Sequence, residues 1–217
     1  MPVIAASNNK GGVGKTTSSA HIIVELRPAV VIDIDIHKGL SIINRLRSDG
    51  SKWPVKTFTN VKELMTFIQE RDEAGDLVYV DCGGFDSELT RSVVAVADLI
   101  IVPTNDSPTE LIGLASFDLV LAEISKKIGF ELMAHVLLCK TPPNKKNFPK
   151  MESQIAESRH MKLLTNRLSY RTGRFGFQDS LENGQGITEI KNGRASPAGR
   201  ELRKVVAEIQ ALLSSEE

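Results

Sequence analysis

The chain has 217 residues, 41 % of them hydrophobic, and its 27 Lys+Arg are balanced by 27 Asp+Glu. This length suits one domain, 1–217, with a substantial buried core, and the even charge excludes a protein coated in basic residues. No apolar run approaches the roughly 20 residues that span a bilayer, no secretory signal opens the chain, and Cys82 and Cys139 form no metal-ligand pattern, so a reducing cytoplasm is the expected compartment.

Apolar β-prone runs alternate with helix-period segments. In chain order the predicted strands are Val3–Ala6, Ala29–Ile34, Leu77–Asp81, Leu99–Val102, Met133–Leu138 and a weaker Lys162–Leu164. They read as continuous apolar runs, the pattern of strands covered on both faces. Helix starts are predicted at Asn60 with Glu63 three residues on, at Asp86, and at the capping box Ser107-Pro108-Thr109-Glu110. Strand–helix alternation of this kind predicts an α/β fold with a mostly parallel sheet flanked by helices on both faces. Lys140–Pro149 reads as a loop, and a last helix near Ala198–Leu213 places Leu202, Val205, Val206, Ile209 and Leu212 on one face for docking on the core.

The first predicted strand runs into Asn8-Asn9-Lys10-Gly11-Gly12-Val13-Gly14-Lys15-Thr16-Thr17 and then into a helix. Glycines let successive N–H groups turn inward on phosphate oxygens, and the helix N-terminus adds partial positive charge. In such a loop Lys15 reaches the β- and γ-phosphates and the Thr16 hydroxyl binds Mg²⁺. Asn9 stands where the general motif has glycine, and a second lysine, Lys10, shares the concavity with Lys15. Two ammonium groups so placed repel unless a polyanion lies between them.

The second strand ends in Asp33-Ile34-Asp35, two carboxylates that share a face if the strand persists. His37, just beyond, reads as an ordinary loop histidine. The third ends in Asp81, the Walker B arrangement, where the carboxylate is expected to hold Mg²⁺ through water. Cys82-Gly83-Gly84 follow; the glycines permit close approach to a γ-phosphate, so 82–86 is a candidate switch region, and Cys82 reads as a packing thiol.

Lys10-Gly11-Gly12-Val13-Gly14-Lys15-Thr16-Thr17, with acidic ends on two strands, resembles the ParA/MinD family of deviant Walker A P-loop ATPases, and the resemblance runs from Val3 to the last helix. It implies an ATPase with ATP and Mg²⁺ as cofactors and a sandwich homodimer when ATP is bound. In that dimer Lys10 crosses to the partner's nucleotide, and the loop around Pro103–Pro108 lines the interface. Nucleotide binding is carried over to Gly11, Gly12, Val13, Gly14, Lys15, Thr16 and Thr17, metal binding to Thr16, Asp33 and Asp81, and catalysis to Lys10, Lys15 and Asp35, the last orienting the attacking water. The family's adenine-reading Asn is replaced here by Cys139-Lys140-Thr141, which leaves backbone groups around Lys140–Pro143 to meet the base.

Charge is uneven along the chain. Residues 1–139 hold 13 Lys+Arg against 18 Asp+Glu, whereas 140–217 hold 14 against 9. A local excess of this kind can bind a polyanion. The stretch from Arg167 through Arg171 to Arg174 looks like the basic segment through which ParA proteins bind DNA non-specifically, and with Arg200, Arg203 and Lys204 it supplies the candidate phosphate contacts. The resemblance therefore implies a small ParA-type partition ATPase, cytoplasmic and nucleoid-associated when ATP-bound, that positions a DNA cargo with a centromere-binding or cargo-adaptor partner. The alternative is a MinD-like membrane-cycling ATPase. That reading calls for a basic amphipathic C-terminal helix, whereas this chain ends Leu212-Leu213-Ser214-Ser215-Glu216-Glu217, so no membrane partner is expected. The cysteines lack the spacing of a cluster-binding reductase, and Asp33, Asp35 and Asp81 argue against a regulator that does not hydrolyse.

Overall fold

In a computed structural model that describes residues 2–84 and 86–215, strands β1 (Val3–Ala6), β2 (Val30–Asp33), β4 (Val78–Asp81), β5 (Leu99–Thr104), β6 (Ala134–Thr141) and β7 (Met161–Leu163) follow the predicted runs to within a few residues. Two short strands were not predicted, β3 (Val55–Lys56) and β8 (Leu168–Ser169). With two residues each, neither carries a pattern to read; each forms because a longer neighbour offers a free edge.

The sheet order is β3–β2–β4–β1–β5–β6–β7, with β8 also beside β6, and every pairing is parallel. All four residues of β1, β2 and β4 are buried, as their uninterrupted apolar runs require of strands covered on both faces. Alternate residues feed opposite layers. Ile4 and Ala6 face α1 (Lys15–Leu26) and α8 (Pro197–Ser214), while Val3 and Ala5 face α3 (Val61–Glu73) and α4 (Glu88–Val96). Ile100, Val102 and Val136 pack under α5 (Pro108–Ile128) and α6 (Pro149–Glu157). Leu202, Val205, Val206 and Ile209 of α8 are buried as predicted, with Leu212 partly so.

The predicted helix starts fare differently. Asn60 caps α3 by accepting from Glu63 N–H, as read. Asp86 does not cap α4: Ser87 does, accepting from Thr90 N–H, because Asp86 pairs with Arg91 at 2.5 Å. The capping box at α5 does not close either, since the Ser107 hydroxyl meets Thr109 and Glu110 turns inward. Strand β6 extends through Lys140 and Thr141, so the loop before α6 starts later than read.

β1 lies between β4 and β5, the strands that follow it on its two sides, so the chain reverses its winding there. Open parallel sheets bind ligands at the carboxyl ends of strands at such a switch point. Register puts Ala6 beside Asp81 and Asp81 beside Asp33, so the phosphate loop and both acidic strand ends open on one edge.

Candidate functional site at the carboxyl edge of the sheet

The loop from Ser7 to Gly14 joins β1 to α1. Gly12 (φ 81°) and Gly14 (φ 99°) take the left-handed backbone that curls the loop, a conformation costly for other residues. Gly14 is the N-cap of α1 and offers no capping side chain, which leaves the first N–H groups of the helix for a ligand. Asn8 steadies the entry, donating to Pro103 O at 2.8 Å and accepting from Lys10 N at 3.0 Å.

Lys15, the first residue of α1, is buried and bridges two carboxylates, Asp35 at 2.9 Å and Asp81 at 3.3 Å. Burial works against its charge, but the two carboxylates prevail and raise its pKa. For Asp35, burial is likewise outweighed, here by the His37 N–H bond and by Lys15, and the carboxyl is held below its ordinary value. Asp81 is fully enclosed, and burial, aided by Asp33 alongside, pushes it up to about 6 despite Lys15. Its oxygens also accept from Thr16 Oγ1 at 3.1 Å and Ser19 Oγ at 3.2 Å, and Tyr79 OH donates onward to Ser19.

Asp33 is engaged elsewhere. Its carboxylate accepts from Ser41 N at 2.9 Å, Ser41 Oγ at 2.7 Å and Asp35 N at 3.2 Å. Helix α2 (Gly39–Leu46) has Lys38 at its N-cap position and no side-chain cap of its own, so Asp33 supplies that function from the neighbouring strand. Lys10 lies 2.8 Å from Glu110 on α5, and Lys140 donates to Gly12 O at 2.9 Å.

A cleft of about 420 Å³ lies over the loop, walled by Lys10, Gly11, Gly12, Gly14, Lys15, Thr16 and Thr17 on one side and by Asp35, His37, Gly84 and Lys140 around it. Val13 is buried beneath it. An apolar recess adjoins it between Gly14, Thr17, Cys139, Lys140, Tyr170 and Phe177. Of the predicted switch region, Gly84 borders the cleft, while Phe85 lies outside the described residues, as do Glu216 and Glu217. Burial pushes the Cys82 thiol up to about 12, in keeping with a packing residue.

These donors fit a magnesium nucleotide. The cleft presents curled backbone and lysines to phosphates, and Thr16 with Asp81 offers oxygen ligands. Among the described residues no cluster of three His, Cys, Asp or Glu stands ready for a metal. Thr16 and Asp81 would supply the one or two protein oxygens that Mg²⁺ usually takes, the rest of its shell coming from phosphates and water.

The candidate DNA contacts separate into two groups. Arg171 pairs with Glu201 at 2.5 Å, and half-buried Arg167 lies 5.2 Å over the Phe148 ring. Arg174, Arg200, Arg203 and Lys204 are exposed, the last three on α8. Glu201, on that helix, also accepts from Ser169 N and Oγ, so it ties α8 to the rim of the recess.

Ser19, Gly39, Ser41 and Glu201 escape motif reading, while Asn8 and Glu110 carry site contacts that their loop and capping motifs do not indicate. A Cβ on Gly39 would stand 2.7 Å from Thr16 Cγ2, so only glycine admits the threonine as placed.

A family model described as "ATPase MipZ" matches residues 40–135. That span excludes the phosphate loop, so the match is independent of the loop motif. A Protein ParA from Rhizobium radiobacter is 26 % identical over 137 residues, 59 % of this chain and 62 % of that protein. The MinC:MinD cell division protein complex of Aquifex aeolicus superposes with a TM-score of 0.73 at 16 % identity, covering 97 % of this chain and 96 % of that one. A structure described as pNOB8 ParA bound to nonspecific DNA gives 0.61 at 14 % identity, covering 100 % and 99 %. In its fold, in its loop and in a sequence match that lies outside the loop, the chain is similar to the ParA/MinD family of P-loop ATPases.

Proposed function

We propose that the chain is a partition ATPase of the ParA type. It binds ATP with Mg²⁺, pairs as a sandwich homodimer, holds DNA non-specifically and lets go after slow, partner-stimulated hydrolysis. The observation that carries this reading is that Lys15, Thr16 and Asp35 line one cleft, with Asp81 enclosed behind it and bonded to Lys15 and Thr16. The chemistry supplied by the bound magnesium nucleotide is cleavage of its terminal phosphoanhydride. Lys15 Nζ, now shared by Asp35 and Asp81, is the group that transfers to the phosphates. Thr16 and Asp81 are the metal-holding residues, with Asp33 beside them steadying the loop that carries Asp35. Asp35, freed of Lys15, has a carboxylate open to orient water. Lys10 is the residue assigned to the partner's nucleotide.

DNA binding is assigned to the exposed Arg174, Arg200, Arg203 and Lys204, with Arg167 and Arg171 at the margin because Arg171 is paired with Glu201 and Arg167 is half-buried. Dimerisation doubles this surface, so phosphate contacts and counterion release rise together. The reading draws support from the DNA-bound ParA that shares the fold. A cytoplasmic, nucleoid-associated protein working with a centromere-binding or cargo-adaptor partner follows from it.

The test is DNA binding with ATP, ADP or no nucleotide across a salt series. ATP-dependent binding that weakens steeply with salt is expected, and Lys15→Ala should abolish it. Replacing Arg203 and Lys204 by alanine should lower the salt slope by about one for each DNA phosphate that these side chains neutralise. Binding that ignores nucleotide defeats the proposal.

A further inference from the structure

Three lysines wall the phosphate cleft, and two of them are neutralised within the chain. Lys15 bridges Asp35 and Asp81, and Lys10 pairs with Glu110. Lys140 differs: among the described residues its ammonium meets no carboxylate, only the neutral carbonyl of Gly12 at 2.9 Å. One of its three N–H groups serves that bond.

Its backbone is unusual as well. Lys140 has φ 54°, left-handed in a residue with no glycine-like freedom, between Cys139 and Thr141, both buried in β6. A strained conformation persists where the surroundings enforce it, and such positions concentrate at functional sites. Here it carries the side chain across the loop, with Cε 3.5 Å from where a Gly14 Cβ would stand. The ammonium thus lies on the seam between the phosphate cleft and the apolar recess beside Phe177, both of which Lys140 lines.

We propose that Lys140 is a third phosphate-binding lysine, whose ammonium engages the nucleotide's phosphate chain within its own subunit, on the side nearest the nucleoside. The assignment rests on the nucleotide-binding reading above. An uncompensated cation facing a cleft built for phosphates is the group an incoming polyanion gains most from. Affinity at this position then comes from phosphate charge, where the family's asparagine reads the base.

The experiment is calorimetric titration of the full chain with ADP and Mg²⁺ in low and high salt, for wild type, Lys140→Gln, Lys140→Arg and Lys15→Ala. Glutamine and arginine meet the same backbone strain as lysine, and thermal unfolding checks that each variant is folded. Lys140→Gln should weaken ADP about tenfold or more, as loss of a charged hydrogen bond does. Lys140→Arg should stay within about threefold, and the loss in Lys140→Gln should shrink as salt screens it. Wild-type affinity in Lys140→Gln overturns the proposal alone. Equal losses in Lys140→Gln and Lys140→Arg also overturn it, assigning Lys140 to loop geometry. If wild type and Lys15→Ala both fail to bind ADP, the nucleotide reading falls with it.

Discussion

The ammonium of Lys10 lies 2.8 Å from the carboxylate of Glu110, a residue only 5 % exposed in the first turn of α5. A lysine that the proposed dimer assigns to a second subunit's nucleotide is thus held by its own chain. Gly113, one turn further along α5, lies beside its stem: a Cβ there would be 3.7 Å from Lys10 Cδ. In the proposed dimer the pair must break before Lys10 can cross, so its strength would oppose that dimer. Glu110→Gln removes the opposing charge while keeping the shape. We expect this variant to dimerise at several-fold lower ATP concentration, read by light scattering, with nucleotide affinity of the monomer unchanged. An unaltered ATP dependence sinks the idea.

Asp35 is the carboxylate with the least structural duty at the site. Its partners are Lys15 and the His37 N–H, whereas Asp81 is enclosed by Lys15, Thr16 and Ser19. Asp35→Ala should therefore fold and bind ATP, while turnover falls about 100-fold or more, the usual scale for a group that positions or deprotonates water. The ATP-bound dimer should then accumulate. Wild-type phosphate release by this variant would remove Asp35 from the chemistry.

Gly39 governs Thr16 by contact. An alanine Cβ at 2.7 Å from Thr16 Cγ2 forces one of them to move, and helix α2 is anchored behind Gly39 by Asp33 and Ser41. Displacement of a ligand by a fraction of an ångström is costly in a preorganised site. Gly39→Ala should raise the Mg²⁺ concentration needed for ATP binding about tenfold while leaving the unfolding temperature nearly unchanged. Equal Mg²⁺ dependence in the two proteins would count against Thr16 as a metal ligand.

His21 links α1 to the C-terminal part of the chain. It is fully buried, Nδ1 accepts from Ile187 N–H at 3.0 Å, and Nε2 lies 2.7 Å from Phe177 O. A carbonyl cannot donate, so Nε2 carries the proton and the ring is neutral. Burial lowers its pKa from 6.5 to about 4. Between these values the unfolded state binds the extra proton and the native state does not, so stability falls as pH drops from 6.5 toward 4 and is whole above 6.5. At pH 5 the loss is about 2 kcal/mol from this residue. Urea unfolding of wild type against His21→Gln, from pH 7.5 to 5, should show a steeper decline in wild type. Parallel slopes would exclude the histidine as the cause.

The predicted strands and the loop at Lys10–Thr17 were legible because both are local. A buried parallel strand needs a continuous apolar run, and a phosphate loop needs glycines and a lysine at set spacing, whatever surrounds them. The same locality misled at Asp86 and Glu110. Each has the chemistry of a helix start, but Arg91, further along the same helix, takes Asp86, and Lys10, from the phosphate loop, takes Glu110, and an ion pair outcompetes a cap. Asp33 shows the converse, with a metal-like spacing and a carboxylate bound to Ser41.

The sequence by itself determined the fold class, the phosphate loop and the carboxylate Asp81 at the end of β4, since period, glycine spacing and strand ends are properties of short segments. Tertiary structure alone decided how the charges pair. Lys10 goes to Glu110, Lys15 to Asp35 and Asp81, Arg171 to Glu201, and Lys140 is left facing the cleft with a neutral partner. The ion pairs among these join residues from 20 to 100 positions apart. Charge interactions depend on distance and burial in space, and no local pattern carries either.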